Sequence, residues 1–193
     1  TPQNSPHFFR YSGAYTYRET EQTSGSKVKS TDKYDLQFIY RRSFFKNWFV
    51  QNSIAGRVDQ IKGIDRELQE SIGIGYSFKP SDRFEFVFGG GAGISDFEAS
   101  GLDTRNGLNP LANVFQEISW KLFERTSFVQ KFDYFVNPEK SEQYNYRLSA
   151  ALRMRVTDLL GFEFSLNKNF DNDVGTGSAQ DDTQWRNAIV VYF

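Results

Sequence analysis

Apolar and polar residues alternate with a period of two along most of this chain. Between residues 144 and 156, the even positions hold Tyr, Leu, Ala, Met and Val, while most odd positions hold Asn, Ser and Arg. Successive side chains of a β-strand point to opposite faces, so this pattern predicts strands with one apolar and one polar face. No segment shows a sustained helical period. The chain is therefore predicted to be all-β.

Ten such segments can be placed along the chain. Several exceed the roughly five or six residues that are typical of strands in globular proteins. Tilted strands of about ten residues are long enough to cross a bilayer. The predicted strands are 7–19, 31–45, 48–62, 67–78, 83–97, 112–124, 127–137, 142–157, 159–171 and 183–193.

The connections between these strands alternate in length. Short turns are predicted at 46–47, 79–82, 125–126 and 157–158, and the connections between them are mostly longer: 20–30, 98–111, 138–141 and 172–182, with a shorter one at 63–66. Outer-membrane barrels have short periplasmic turns and longer extracellular loops. The pattern predicts one domain over residues 1–193, an antiparallel up-and-down transmembrane β-barrel.

The apolar rows of these strands carry few polar residues. A membrane barrel turns these rows to lipid, whereas a soluble ligand-binding barrel turns them inward around a cavity, and alternation alone does not distinguish the two. The polar exceptions are Arg42, Glu70, Asp96 and Lys168 towards strand ends, and Asn52, Gln116, Gln130 and Asn187 nearer the strand centres.

The last segment, TQWRNAIVVYF, favours the membrane barrel. Its apolar row, which contains Trp185, Ile189, Val191 and Phe193, is similar to the recognition signal of outer-membrane barrel assembly. Such an ending also predicts that the last strand pairs with the first.

Composition narrows the class of protein further. Aromatic residues make up 17% of the chain although the mean hydropathy is −0.59, as expected for alternation rather than apolar blocks. A net charge of −1 argues against nucleic-acid binding. The lack of cysteine excludes disulfides, cysteine-ligated metals and a lipidated N-terminal cysteine. No apolar run approaches the roughly 18 residues of a membrane helix, and the start does not have the pattern of a signal peptide.

The polar rows carry charges of both signs, which a membrane barrel would turn towards its lumen. They either form ion pairs that fill a narrow barrel or line a pore. Arg147, Arg153 and Arg155 of one strand are predicted to face the charges of the two preceding strands. The predicted lumen charges are Arg41, Arg57, Arg83, Glu85, Glu117, Lys121, Lys131, Asp133, Arg147, Arg153, Arg155, Glu163 and Arg186.

Four stretches carry a family resemblance: GIDRELQESIGIGYSF (63–78), RFEFVFGGGAGISDFEAS (83–100), FQEISWKLFERTSFVQKFDYFVNP (115–138) and residues 160–193. In this order they resemble a family of uncharacterised outer-membrane proteins that carry the label salt-induced. The resemblance implies a fold and a location but no catalytic residue. Family members usually have an earlier hairpin with a Gly-Asn turn, which is not seen here, so the strand number is ten, or twelve if two N-terminal strands are missing. A filled interior is expected at ten strands, and a narrow pore becomes plausible at twelve.

Three features were considered as candidate chemistry. His7, near Ser5 and Ser12, could form a Ser-His pair of a lipid-acting barrel enzyme, but a role at the membrane interface is the simpler expectation. An acidic loop could hold calcium through Asp171, Asp173, Asp181 and Asp182, although its spacing is not that of an EF-hand. The glycine run 89–93 is not followed by Lys and Ser or Thr, so it indicates a close approach of strands rather than a phosphate loop.

The sequence thus predicts a monomeric, non-enzymatic outer-membrane barrel, either a structural envelope component or a narrow passive pore. An alternative is a barrel subunit that binds a protein partner through loops 98–111 and 172–182. The expected partners are outer-membrane lipid and lipopolysaccharide, the barrel assembly machinery and other outer-membrane proteins. No cofactor and no metal are expected.

Overall fold

The computed structural model describes residues 6–21, 27–60, 63–100, 106–172 and 180–191, and their regular structure is entirely β-strand. No helix among these residues is long and apolar enough to span a bilayer. The strands are β1 (His7–Glu21), β2 (Lys27–Phe45), β3 (Trp48–Asp59), β4 (Ile64–Ser81), β5 (Phe84–Ala99), β6 (Gly107–Phe123), β7 (Thr126–Asn137), β8 (Lys140–Arg155), β9 (Leu160–Asp171) and β10 (Asp181–Val191).

All ten predicted strands are confirmed, and each pairs antiparallel with the next in chain order. The predicted loops at 20–30 and 98–111 are shorter than expected, because β2 already begins at Lys27 and β6 at Gly107. The connection at 138–139 is as short as the turns at the opposite end of the sheet. Following the orientation predicted from the loop lengths, we call the end with the turns at 46–47, 82–83, 124–125 and 156–159 the periplasmic end, and the other the outer end.

The first periplasmic turn shows how a short connection is made. Lys46 has a φ of 41°, in the left-handed region that non-glycine residues seldom adopt. A positive φ in a two-residue hairpin loop matches the right-handed twist of the strands that it joins. The turn at Lys46 and Asn47 therefore reverses the chain without an additional loop.

The outer surface of the curved sheet is apolar and its inner surface is polar. Leu36 is 67% exposed and Ile72 is 62% exposed on the outside, whereas Gln51 and Glu67 are buried on the inside. Removing apolar area from water drives the folding of soluble proteins, so this inverted arrangement suits a surface in contact with lipid. The soluble barrel with its Phe and Tyr rows around a cavity is therefore excluded.

The sheet is open between its two edges. β1 and β10 stand at the ends of the strand order, and no Cα atom of one lies within 8 Å of a Cα atom of the other among the described residues. The prediction that the last strand pairs with the first is thus wrong for the described part of the chain. Alternation specifies the face of each residue but not the curvature that would close the sheet.

Glycines let aromatic rings lie against the inner wall. A Cβ atom at Gly75 would lie 2.2 Å from Cζ of Phe49, and one at Gly89 would lie 2.4 Å from Cζ of Phe115. Both rings are buried and form an apolar cluster with Val87 inside the barrel. The prediction that the glycine run marks a close approach is confirmed.

Polar residues on the outer wall pair with one another across neighbouring strands. The Gln116 amide donates to the Gln130 oxygen over 2.9 Å, and the Asn52 amide donates to Glu70 over 3.4 Å. Lys168 forms an ion pair with Asp181 at 2.6 Å. A polar partner on a neighbouring strand is therefore present for Asn52, Glu70, Gln116, Gln130 and Lys168.

Candidate functional site in the lumen

The inner rows of the strands bring the predicted charges together in two groups, one near each end of the barrel. Since side chains alternate between faces, residues of one parity on each strand face the lumen. Curvature of the sheet then brings strands that are distant in sequence within reach of one another. This explains ion pairs such as Arg10–Glu117 and Arg57–Asp171, whose members lie on non-adjacent strands.

A group that we call the neck occupies the periplasmic half of the lumen. Glu117 accepts hydrogen bonds from Arg10 at 2.7 Å and 3.0 Å, and also from Arg41. The Arg41 guanidinium lies 5.0 Å from the ring centroid of Phe49 and 5.7 Å from that of Phe115. Arg41 is thus held by one carboxylate and by aromatic faces. The neck comprises Phe8, Arg10, Arg41, Phe49, Phe115 and Glu117.

A second group lies near the outer end. Arg57 is 2.8 Å from a carboxylate oxygen of Glu67 and 3.1 Å from one of Asp171. Lys33 is 3.3 Å from Asp182 and 3.5 Å from Asp35. The Arg57–Asp171 and Lys33–Asp182 contacts link strands that are not neighbours in the sheet.

The predicted calcium loop does not assemble. Asp171 pairs with Arg57 inside the barrel, Asp181 with Lys168 on the outer wall, and Asp182 with Lys33. Asp173 lies outside the described residues. Within the described residues, no cluster of three or more His, Asp or Glu side chains could hold a metal ion. The three described carboxylates form ion pairs with Arg and Lys side chains instead of binding one metal ion together.

The predicted row of Arg147, Arg153 and Arg155 is spread along the barrel axis. Arg153 pairs with Glu163 at 2.6 Å, and Arg155 donates to the carbonyl oxygens of Thr157 and Asp158 in the periplasmic turn. Arg147 lies near the middle of β8, with its guanidinium 5.6 Å from the ring centroid of Phe135. The three arginines therefore do not face one common set of charges.

The other predicted lumen charges have less extensive contacts. Glu85 accepts a hydrogen bond from the Ser77 hydroxyl at 2.8 Å. Arg83 and Lys121 are exposed near the periplasmic rim, and Arg186 is exposed on the inner row of β10.

Charges of opposite sign predominate in the two halves of the lumen. Among the described inward residues of the outer half, carboxylates outnumber cations: Asp35, Asp59, Glu67, Asp171 and Asp182 face Lys33 and Arg57. In the periplasmic half, cations outnumber carboxylates: Arg10, Arg41, Lys121, Arg153 and Arg155 face Glu85, Glu117 and Glu163.

Cavities follow one another along the lumen. A mid-lumen cavity of about 420 Å³ is lined by residues that include Lys33, Gln37, Lys131 and Arg147. A neck cavity of about 400 Å³ shares Lys131 with it, and a rim cavity of about 240 Å³ shares Glu85, Ser119 and Val129 with the neck cavity. Each is much larger than a single water molecule requires. The lumen is thus only partly filled by its ion pairs.

His7 and Ser12 do not form a pair. His7 belongs to the outer row of β1, where its Nδ1 lies 2.8 Å from the Tyr40 hydroxyl oxygen. Ser12 has the opposite parity and lines the mid-lumen cavity, and Ser5 lies outside the described residues. The two faces of the strand separate the histidine from Ser12.

Sequence reasoning missed several lumen residues. Phe49, Phe115 and Glu67 have the same parity as the predicted inner rows, so the alternation could have placed them inside. The two rings were missed because only charged residues were assigned to the lumen, and Glu67 was missed although the predicted fourth strand began at it. On β10, Trp185, Ile189 and Val191 lie on the exposed outer row, and Phe193 lies outside the described residues.

A family model described as Protein of unknown function, DUF481, matches residues 4–193 of the chain. The match confirms the resemblance to an uncharacterised family, whereas the salt-induced label stays a prediction. A comparison with curated proteins gave no match.

Among solved structures, the chain is similar to the NanC porin in a rhombohedral crystal form. The TM-score is 0.57 and the identity 8%, over 99% of this chain and 96% of that chain. A Pseudomonas aeruginosa FadL homologue has a TM-score of 0.44 and 10% identity, over 94% of this chain and 60% of that chain. The porin fold and the apolar outer surface together make this an outer-membrane β-barrel protein.

Proposed function

Since the chain belongs to the DUF481 family of proteins of unknown function and is an outer-membrane β-barrel, we propose that it is a non-enzymatic, narrow passive pore for small polar solutes. The observation that supports this proposal is the succession of lumen cavities with shared lining residues. Small barrels are usually filled by side chains, so unfilled space along the lumen favours a path for solutes over a purely structural barrel.

The neck lies across the path of the proposed pore, between the mid-lumen cavity and the rim cavity. Phe49 and Phe115 are buried there, and Arg41 lies beside both rings. A hydrated solute that moves from the mid-lumen cavity to the periplasmic rim passes these rings and the Arg10–Glu117 pair. The proposal therefore predicts a small conductance that depends on the neck residues.

The experiment is single-channel recording of the refolded chain in a planar bilayer, after insertion has been verified. We expect small, stable current steps from the unmodified chain. Phe115→Ala is expected to increase the conductance, because it removes a buried ring from the neck. Phe164→Ala, which truncates an exposed ring on the outer wall, serves as the matched control and should leave the conductance unchanged.

Two results would contradict the pore. Insertion without current steps would show that the barrel does not conduct and would support a structural role. Equal currents from the Phe115→Ala and Phe164→Ala variants would show that the conduction path does not cross the neck. If Phe115→Ala does not fold, Phe115→Leu tests the same position with a smaller loss of volume. The partner-binding alternative stays a prediction, since residues 101–105 and 173–179 of the two loops lie outside the described residues.

A further inference from the structure

Lys131 occupies the junction of the mid-lumen cavity and the neck cavity. It lies on the inner row of β7, is half-buried, and lines both the mid-lumen cavity and the neck cavity. A solute that moves between these cavities therefore passes its ammonium group.

The nearest candidate partner of Lys131 is already occupied. Glu117 is opposite Lys131 in the pairing of β6 with β7. Both carboxylate oxygens of Glu117 accept hydrogen bonds from Arg10, and one also accepts from Arg41. Among the described residues, no hydrogen bond or ion pair is formed by the Lys131 ammonium.

Arg147 adds a second cation to the same region. It is opposite Asp133 in the pairing of β7 with β8, yet its guanidinium lies over the Phe135 ring. The mid-lumen cavity is lined by three cations, Lys33, Lys131 and Arg147, and by two carboxylates, Asp35 and Asp133. A surplus of cations in a cleft with low-dielectric walls attracts anions.

We propose that the mid-lumen cavity binds a small anionic solute, with Lys131 and Arg147 as its cationic contacts. The other lining groups include amides and hydroxyls that can bond to the remaining oxygen atoms of a carboxylate or a phosphate: Gln37, Ser149, Asn167, Asn169 and Gln184. The inference rests on the proposed pore and gives its solute class: anions pass in preference to cations.

The test is calorimetric titration of the refolded chain in detergent with inorganic phosphate and, separately, with acetate. Lys131→Gln and Arg147→Gln are each expected to weaken binding about tenfold, because each removes a charge-assisted hydrogen bond. Lys121→Gln makes the same change on an exposed inner residue near the rim and should leave binding unchanged. Lys131→Arg, which keeps the charge, should retain most of the affinity. The two titrations distinguish a phosphate site from a carboxylate site.

The absence of binding for both anions, or equal losses in Lys131→Gln and Lys121→Gln, would overturn the anion site. If Lys131→Gln does not fold, Arg147→Gln tests the anion site in the same way. Reversal potentials in a salt gradient separate this inference from the proposed pore. Conductance without anion preference would refute the inference alone, whereas anion binding without conductance would refute the pore and leave a binding site.

Discussion

Two glycines on the inner wall determine whether two phenylalanine rings fit inside the barrel. The Phe49 ring lies where a side chain at Gly75 would begin, and Phe115 has the same relation to Gly89. The rings in turn provide the faces over which the Arg41 guanidinium is held. The shape of the neck therefore depends on the absence of two methyl groups.

Gly75→Ala is expected to destabilise the folded barrel by about 1–3 kcal/mol, since the new methyl group must displace the Phe49 ring. Urea unfolding in lipid vesicles measures this difference. Gly56→Ala is the matched control, because the atom nearest to its Cβ is 4.0 Å away. Adding Phe49→Leu to Gly75→Ala should recover part of the loss. Equal stabilities of the two single alanine variants would show that the ring does not lie against Gly75.

Polar side chains on the outer wall need hydrogen-bond partners from neighbouring strands. An amide that faces lipid has no water to bond with, so a single polar residue there is costly. Gln116 of β6 and Gln130 of β7 face lipid side by side and bond to each other. Each strand thus supplies the partner that the other requires.

Replacing one member of this pair is expected to be worse than replacing both. Gln116→Leu leaves the Gln130 amide without its partner and should cost about 1 kcal/mol, within the range of polar pairs in membrane proteins. The Gln116→Leu, Gln130→Leu double variant should be more stable than either single variant. Urea unfolding in vesicles measures all three, with Val114→Leu as a conservative change on the same face of β6. Strictly additive effects would argue against the hydrogen bond.

Much of this arrangement could be predicted from the sequence because the period of two determines the face of each side chain. Glu117, Lys131 and Arg147 were placed in the lumen on this basis, and the structure places them there. The partners Arg57 and Asp171 could not be matched, since their contact depends on the curvature of the sheet across several strands. For the same reason, sequence reasoning offers Asp171 only as a candidate calcium ligand and does not find its ion pair inside the barrel.

The molecule as a whole presents two sheet edges. In hydrocarbon, unpaired backbone N–H and C=O groups cost several kcal/mol each, so the edges of β1 and β10 need hydrogen-bond partners in a bilayer. The described strands do not supply these partners to each other. The structure is thus compatible with further strands between the two edges, and a ten-stranded closure would require β1 and β10 to approach.

Cysteine cross-linking decides between these arrangements, and the chain has no native cysteine to interfere. The Ser12→Cys, Gln184→Cys pair on β1 and β10 is expected to form no disulfide on oxidation, because bridged Cα atoms must lie within about 7 Å. Two control pairs join registered neighbours and should cross-link: Ser12 with Gln37, and Asn167 with Gln184. Rapid oxidation of the first pair in membranes would show that β1 and β10 pair directly.

The unequal distribution of charge along the lumen has an electrical consequence. Carboxylates predominate towards the outer end and cations towards the periplasmic end, so the two mouths of the proposed pore attract ions of opposite sign. Such a pore should rectify, since one polarity of voltage draws ions into both mouths and the other draws them out. The direction of the larger current would then report which way each barrel has inserted into the bilayer.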